Sequence, residues 1–585
     1  LKALGAATHQ LGALLCETPC LLGRGIGALD LPQAASERCD PAWVAEHVAH
    51  FPQGALEAAI ASVLDEELEA REVRYTDPDE HWSRRWAWCV NGSHSALNDR
   101  GLARARLPHA SRWYRRMWAE ATDARPTAGW DGRTFASASA KFEHGKTRAI
   151  FACDSRHYVA FEHFLTPVEQ AWRQRRAILD PGRPGHLGLA RRVLAARQGG
   201  GTNVMLDFDD FNSQHTTAAM QAVIRLTAER VGYPPDLLAP LLRSFEVSEV
   251  YVHGVPHGTA LGTLMSGHRG TTYINTVLNA AYIRVAAGPT AYAQTVAMHV
   301  GDDVFLSVPT PAHVAPILDG LLRHGARLNP AKQSIGHVSA EFLRMCISPG
   351  AARGYAPRAI ASAVSGSWVT ADPLDPAARL ASATTNARSL INRCGTTGPA
   401  LLMVDAVASS THFSPRTVRD ILLGRVSLNG GPVYEYTGPV RRVDAVPPRY
   451  PPPVLKSLPA AATDSYLWHH AAPIEQHAFQ LVGHDARPAM IAASYAKLLF
   501  RRRVALEPAR LVRTTCSLAG GAASATELVG SRPLPGALAA YPLLNFLRAA
   551  LTPADTAELL LDLGLTPHAV DQSEVAWGAA STPTL

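Results

Sequence analysis

The feature that most constrains this chain is a pair of acidic clusters, far apart in sequence, that each interrupt an apolar, strand-like run. Residues 202–208 form a short apolar run that closes on Asp207-Phe208-Asp209-Asp210. Residues 296–308 read as apolar strand, tight turn, apolar strand, with Gly301-Asp302-Asp303 at the turn. Gly in that turn suits the positive φ that tight hairpins require. Two adjacent carboxylates at a hairpin tip repel one another unless a cation lies near them. Aspartates at that tip and at a neighbouring strand end, namely Asp207, Asp302 and Asp303, suit two shared Mg²⁺ (or Mn²⁺) ions. Alone, an Asp-Asp turn is weak evidence, because Asp is also a favoured turn and helix-capping residue.

The segments around these acids sharpen the reading. Residues 135–151 alternate about Glu143-His144-Gly145 and predict a hairpin. On it Lys146 and Arg148, two apart, face one side and suit the grip of a triphosphate. Between the acid clusters, residues 271–287 predict a helix stopped by Gly288-Pro289. Gly267, Thr271 and Asn275 are four apart, so Thr271 and Asn275 share a face at the helix start, a hydroxyl and an amide suited to a ribose 2′-OH. The Gly-rich loop before it suits close approach to a sugar-phosphate backbone. Residues 212–230 also predict a helix, which would make Asp209 and Asp210 first-turn acids.

Composition sets the frame. At roughly 150 residues per domain, the 585 residues allow several compact units. Charged residues are 18%, below the roughly 25% of ordinary soluble proteins, so the chain is not an acidic or basic disordered one. No uninterrupted apolar run suits a membrane helix, and the N-terminus lacks signal-peptide character. The first residue is Leu1, which suggests a fragment or part of a fusion. Eight Cys with no CxxC pair predict a reducing, intracellular setting. Cys16 and Cys20, like His469, His470, His477 and His484, lack convincing metal-ligand spacing. The net charge of +6 is concentrated: residues 141–201 hold 11 Lys+Arg against five acids, a surplus equal to that of the whole chain. Residues 549–585 hold five acids and no Lys or Arg. A local positive field suits a polyanion channel. The Pro-rich stretch 447–453 reads as a stiff connector. Helical patterns precede it in the first 90 residues and follow it at 486–506 and 535–563.

The order acid strand, Gly-Thr-Asn helix, GDD hairpin resembles motifs A, B and C of template-dependent RNA polymerases. Lys141-Phe142-Glu143-His144-Gly145-Lys146-Thr147-Arg148 resembles motif F, Lys332 falls where motif D carries a Lys, and Glu341-Phe342-Leu343-Arg344 falls where motif E lies. The wording KFEHGKTRAIFACDSR, DFDDFNSQHT, SGHRGTTYINTVLNAAY and GDDVF is similar to the RNA-dependent RNA polymerases of totivirus-like double-stranded RNA viruses, victoriviruses in particular. Leu21 to Gly25 (LLGRG) and Val90-Asn91-Gly92-Ser93-His94 resemble further blocks of that group. The resemblance covers residues 11–360.

It implies a helix-rich α/β fold of the right-hand, closed-cage polymerase type. The implied parts are an extension bridging fingers and thumb (1–95), fingers (96–200), palm (201–216), a fingers insertion (217–260), palm (261–360), thumb (361–445), and a connector with a helical C-terminal part (446–585). It implies Asp207 and Asp302 as metal ligands, with Asp303 a nearby, often outer-sphere carboxylate. Lys332 would protonate the leaving pyrophosphate. Lys141, Lys146, Arg148, Asn212, Thr271 and Asn275 would bind the NTP; Ser266, Gly267 and Arg344 would follow the RNA. Asn212 departs from the Asp common at that place in positive-strand polymerases, yet an amide still donates and accepts. The implied partners are RNA, NTPs and viral capsid protein, with no membrane, inside a virion in the host cytoplasm. Two rival readings are a reverse transcriptase, which favours a bulky aromatic where Asn212 stands, and an inactive RNA-binding, capsid-associated module.

Overall fold

The computed structural model describes the chain apart from residues 1–11, 13–14, 96, 98–113, 183–184, 198–200, 349–350, 367–373, 432, 434–440, 449–457, 484, 497–504, 515–532, 549, 567–571 and 581–585. Most of the Pro-rich stretch, the end of the expected 486–506 helix, His484 and Leu1 lie outside the described residues. Helix predominates, and the strands gather into small sheets.

Two sheets frame the site. The first has the order β2-β1-β4-β5, from β1 (Thr134–Glu143), β2 (Lys146–Cys153), β4 (Ser248–Val252) and β5 (Val255–Thr259). Its β1–β2 hairpin is the expected one and pairs Lys141 with Arg148 and Glu143 with Lys146. The second has the order β6-β7-β3-β8, from β3 (Thr202–Leu206), β6 (Val296–Val300), β7 (Asp303–Val308) and β8 (Ser334–Gly336), all antiparallel.

The central strands of the second sheet, β3 and β7, are buried on both faces, so they read as largely apolar runs. Val204, Leu206, Val304, Leu306 and Val308 enter one core together with the Gln53–Leu68, Thr217–Val231 and Thr271–Ala293 helices. Met298 and Phe305 enter another, with Phe342 and Ile347. This alternation follows the period of two along a strand. Two further cores lie downstream, one built from residues 380–443 and one in which Trp86 meets residues 462–576. Buried Glu120 ties early and late chain together, accepting from Thr463 N at 2.9 Å and Ser494 Oγ at 2.8 Å. Of the late histidines, His477 pairs with Asp562 at 2.6 Å.

The expected helix at 212–230 is shorter and preceded by a different turn. Asp210 has a positive φ, residues Phe211–Gln214 form a 3₁₀ turn, and the helix begins at Thr217 behind Thr216, whose hydroxyl accepts from Ala219 N. Asp209 and Asp210 are therefore not first-turn acids of that helix. The cause is local: Ser213 donates N–H and O–H to the Asp210 carbonyl, and Thr216 supplies the better cap. The Thr271–Ala293 helix breaks at Gly288, as the Gly-Pro pair predicts.

Early residues lace the first sheet to the Ala356–Ser365 helix. Gly145 N donates to Gly23 O at 2.8 Å, Arg24 to Phe142 O at 2.8 Å, and Thr147 to Ile26 O at 3.0 Å. On the other side Arg358 pairs with Glu17 at 2.7 Å, and His144 Nε2 meets Ser365 Oγ at 2.9 Å. The hairpin tip is thus held from two directions.

The edge of the second sheet rests on one buried carboxylate. Glu67, 1% exposed, accepts from the backbone N–H groups of Arg175, Arg176 and Ala177 at 2.7–2.8 Å. The same segment exchanges backbone bonds with His299 of β6. Glu67→Ala leaves three interior amides without an acceptor and costs on the order of 3 kcal/mol. A calorimetric unfolding scan should show a lowered Tm for Glu67→Ala and an unchanged one for Glu72→Ala, whose carboxylate is exposed. Equal midpoints for both variants would show that water replaces the carboxylate without loss.

Candidate active site

Register brings the acids together. Leu206 pairs with Val304 across β3 and β7, so continuing the ladder by one residue sets Asp207 opposite Asp303. Leu206 and Val304 point into the core, and alternation turns both aspartates to the other face. Directly opposed like charges repel. Burial pushes the Asp303 carboxyl up to about 7, with the charges of Asp302, then Asp207 and Glu341, adding to the rise and Arg344 opposing it. Asp302 lies exposed at the turn.

That turn is pinned from beneath by the Thr271–Ala293 helix. Gly301, at φ 60°, donates its N–H to Thr276 Oγ1 at 2.8 Å and accepts from Asn279 Nδ2 at 3.1 Å. His299 Nδ1 meets Asn279 Oδ1 at 2.9 Å. The backbone of Asp207 is clamped in turn by Gln333, whose Oε1 accepts from Asp207 N at 3.1 Å and whose Nε2 donates to Asp207 O at 2.8 Å. Thr276, Asn279, His299 and Gln333 were not singled out in the sequence. The first two do leave a trace there, as polar residues that, with Asn275, interrupt the apolar residues in the middle of that helix.

Cations surround the acids. Lys332 Nζ lies 3.1 Å from Asp207 Oδ1. Arg344 sits in the two-residue turn between β9 (Ala340–Phe342) and β10 (Met345–Ser348), where Leu343 and Arg344 both have positive φ. From the first sheet, Lys141, Lys146 and Arg148 converge on Glu143 at 3.0, 3.9 and 3.4 Å. Burial lowers Lys146 to about 8, reinforced by Arg148, Lys332 and Arg344 despite the pull of Glu143. The hairpin cations therefore lie within electrostatic reach of those beside the acids. Glu143, which spaces them, was missed as a functional residue.

The sugar-facing candidates divide. Asn275 Nδ2 donates to Asn212 Oδ1 at 2.8 Å, so these two are brought together. Thr271 is not part of that pair; its hydroxyl lies 2.8 Å from His268 O and 3.0 Å from Met265 O, within the preceding loop. Ser266 and Gly267 are stitched to β2. Phe151 N donates to Ser266 Oγ at 3.0 Å, and Gly267 N donates to Phe151 O at 2.8 Å. The close approach that Gly267 permits is to the protein's own strand, since a Cβ there would lie 2.6 Å from Ala152 Cα.

The donor set suits a divalent cation. Among the described residues no group of three or more His, Cys, Asp and Glu closes into a metal cluster. Mg²⁺ asks for less: one or two carboxylates, with waters and substrate phosphates completing the shell. The mutual repulsion of Asp207, Asp302 and Asp303, and the ammonium already drawn to Asp207, mark a site that favours positive charge.

Known proteins are similar to this chain in sequence. The profile of the family described as Viral RNA-directed RNA-polymerase matches residues 1–368. The probable RNA-directed RNA polymerase of Helminthosporium victoriae virus-190S is 40% identical over the whole chain, which spans 70% of that relative. That of Leishmania RNA virus 1 - 1 (isolate Leishmania guyanensis) is 34% identical over 97% of the chain, which spans 65% of it. The chain belongs to the viral RNA-directed RNA polymerases. Among solved structures, the insertion-loop deletion mutant of a human picorbirnavirus RNA-dependent RNA polymerase aligns with 68% of this chain and 87% of its own, at 13% identity and a TM-score of 0.39. The BmCPV RNA-dependent RNA polymerase aligns with 61% of this chain and 33% of its own, at 12% identity and a TM-score of 0.44.

The stitch between loop and hairpin is open to measurement. In Gly267→Ala the added methyl meets backbone that cannot rotate away. Hydrogen exchange at the Phe151 and Gly267 amides should accelerate by about tenfold or more. Unchanged protection would show that β2 accommodates the methyl and that the stitch is loose.

Proposed function

We propose that this chain is the template-directed catalyst of a double-stranded RNA virus, joining NTPs by nucleotidyl transfer to transcribe and replicate the genome. The observation that carries the reading is the β3–β7 register, which ends at Leu206 and Val304 and so brings Asp207 and Asp303 to neighbouring strand ends beside Asp302, with Lys332 at Asp207, Arg344 acting on Asp303, and Lys146 and Arg148 on the hairpin. An acidic sheet end below and a cationic hairpin above form a slot of opposite charge, suited to a triphosphate on one side and metal on the other.

In this reading Asp207 and Asp302, with Asp303 beside them, hold two Mg²⁺ ions. Those ions, when bound, lower the pKa of the attacking 3′-hydroxyl and neutralise the departing pyrophosphate. The protein's own groups do the positioning. Lys146 and Arg148 grip the triphosphate, Arg148 with the planar fork that suits bidentate contact. A triphosphate arriving there competes with Glu143 for all three hairpin cations. Lys332 lies beside Asp207, placed to give a proton to the leaving group. Asn212 and Asn275 meet the sugar, while the loop at Ser266 and Gly267 and the turn at Arg344 flank the RNA. Base pairing selects the nucleotide, so the protein supplies shape and backbone contacts. The enzyme would work with capsid protein inside the virion; no helix among the described residues is long and apolar enough to cross a membrane.

Primer-free extension on a homologous RNA with labelled UTP, with and without Mg²⁺, tests the reading. Asp302→Asn should lower incorporation by at least about a hundredfold with an unchanged unfolding midpoint. Near-normal incorporation by that variant rejects the catalytic assignment, and incorporation of dNTPs in preference to rNTPs would favour a reverse transcriptase.

The hairpin's role separates from template binding. Changing both Lys146 and Arg148 to Ala should raise the KM for NTP by about tenfold while RNA affinity falls less. A larger loss in RNA affinity than in NTP use rejects that division.

A further inference from the structure

Behind the Asn212–Asn275 pair lies a buried histidine that no expectation included. His215 is 0% exposed and makes two side-chain contacts. Its Nε2 lies 2.9 Å from Asn275 Oδ1, and its Nδ1 lies 3.0 Å from the Tyr282 hydroxyl. The placement of the Asn275 amide assigns the polarity of this chain of bonds. Asn275 donates through Nδ2 to Asn212, so it is the Asn275 oxygen that faces the imidazole, and His215 Nε2 must carry the hydrogen. Nδ1 is then bare and accepts from Tyr282 O–H. Burial lowers His215 to about 4, with its bond to Asn275 opposing, so the ring stays neutral and the tautomer is preserved. Tyr282 is itself immobilised, stacked on Phe51 with ring centroids 4.2 Å apart and planes 7° apart. Phe211 closes the remaining side of the imidazole, edge-on at 4.5 Å.

We propose that His215 and Tyr282 are positioning residues for ribose selection, acting through Asn275 and Asn212 on the sugar of the incoming nucleotide. This rests on the polymerase reading above and deepens it. With Asn212 Oδ1 occupied by Asn275, the group that Asn212 leaves for a ligand is its N–H pair, aimed as a donor. A 2′-hydroxyl accepts from it, and a 2′-deoxy sugar leaves it unpaired, which is how a site built around a hydroxyl rejects the analogue lacking it. The relay removes the rotation that either amide would otherwise lose on binding, so the donor is preorganised before the nucleotide arrives.

The test uses the same templated assay with ATP, 2′-dATP and 3′-dATP. In His215→Phe and Tyr282→Phe the ratio of kcat/KM for ATP over 2′-dATP should fall about tenfold. The loss should appear as a raised KM for ATP more than a lowered kcat. His215→Gln restores a donor near the Nε2 position and should recover most of the ratio. Incorporation of 3′-dATP should follow ATP in every variant, because its 2′-hydroxyl is intact. The inference is overturned if His215→Phe and Tyr282→Phe retain the wild-type ratio. It is equally overturned if ATP and 2′-dATP lose efficiency in parallel, which is what a merely structural role would give. A wild-type chain that makes no RNA under these conditions instead overturns the polymerase reading, and the inference with it.

Discussion

Acidic side chains gathered at the ends of adjacent strands are the constraint around which this molecule is arranged. Asp207 and Asp303 are set face to face by the β3–β7 register, with Asp302 beside them. Burial and its acidic neighbours hold the Asp303 carboxyl up at about 7, which relieves part of the repulsion and leaves the rest to the fold. A single neutral hydrogen bond returns only about 1 kcal/mol, so no one contact could hold the arrangement. The fold answers with several. Thr276 and Asn279 clamp Gly301, Gln333 clamps the Asp207 backbone on both its N–H and its carbonyl, and Lys332 and Arg344 bring positive charge. The central strands β3 and β7 beneath are packed on both faces, so they cannot slide apart to relieve the repulsion.

The hairpin opposite meets the inverse problem. Lys141, Lys146 and Arg148 would repel one another, and Glu143 lies among all three. One carboxylate against three cations leaves a positive excess, and these residues open the basic window seen in the sequence. Lys146 is lowered chiefly by burial and by Arg148, with smaller contributions from Lys332 and Arg344, which belong to the acidic side. Arg24, Gly23 and Ile26 fasten the hairpin, while Glu17, from the same early segment, reaches Arg358. The hairpin is thus held by an early part of the chain that lies outside both sheets.

How much of this was legible in the sequence depends on the range of the interaction. The β1–β2 hairpin, the GDD turn and the Thr271–Ala293 helix are written in local periodicity and in Gly and Pro, and they appear as expected. The turn at 210–216 was missed because its outcome depends on Asp210 adopting a left-handed backbone and on Thr216 outcompeting it as a cap. Gly267 was read as room for RNA, yet its nearest demand comes from Ala152, which only tertiary structure reveals. Asp303 was read as the lesser partner of Asp302. Register with β3, invisible to a single strand's pattern, sets it opposite Asp207. Glu143, Gln333 and His215 carry no sequence signal of their own, because each acts by meeting a residue distant in the chain.

The interior polar groups show why the site is built largely from neutral side chains. Asn212, Asn275, Asn279, Thr276, His215 and His299 lie close behind three carboxylates, and burial holds both histidines uncharged. A buried charge costs several kcal/mol unless paired, and another carboxylate near Asp207 would add to the repulsion already present. A buried amide or hydroxyl costs little once its hydrogen bonds are made. Asn212, standing where an acid would also accept from Asn275, therefore keeps the hydrogen bond without the charge. A neutral hydroxyl on a sugar asks for directed donors and acceptors rather than for a field. On the proposed function the charged groups would act on the charged part of the substrate, and the neutral relay would recognise the part that is not.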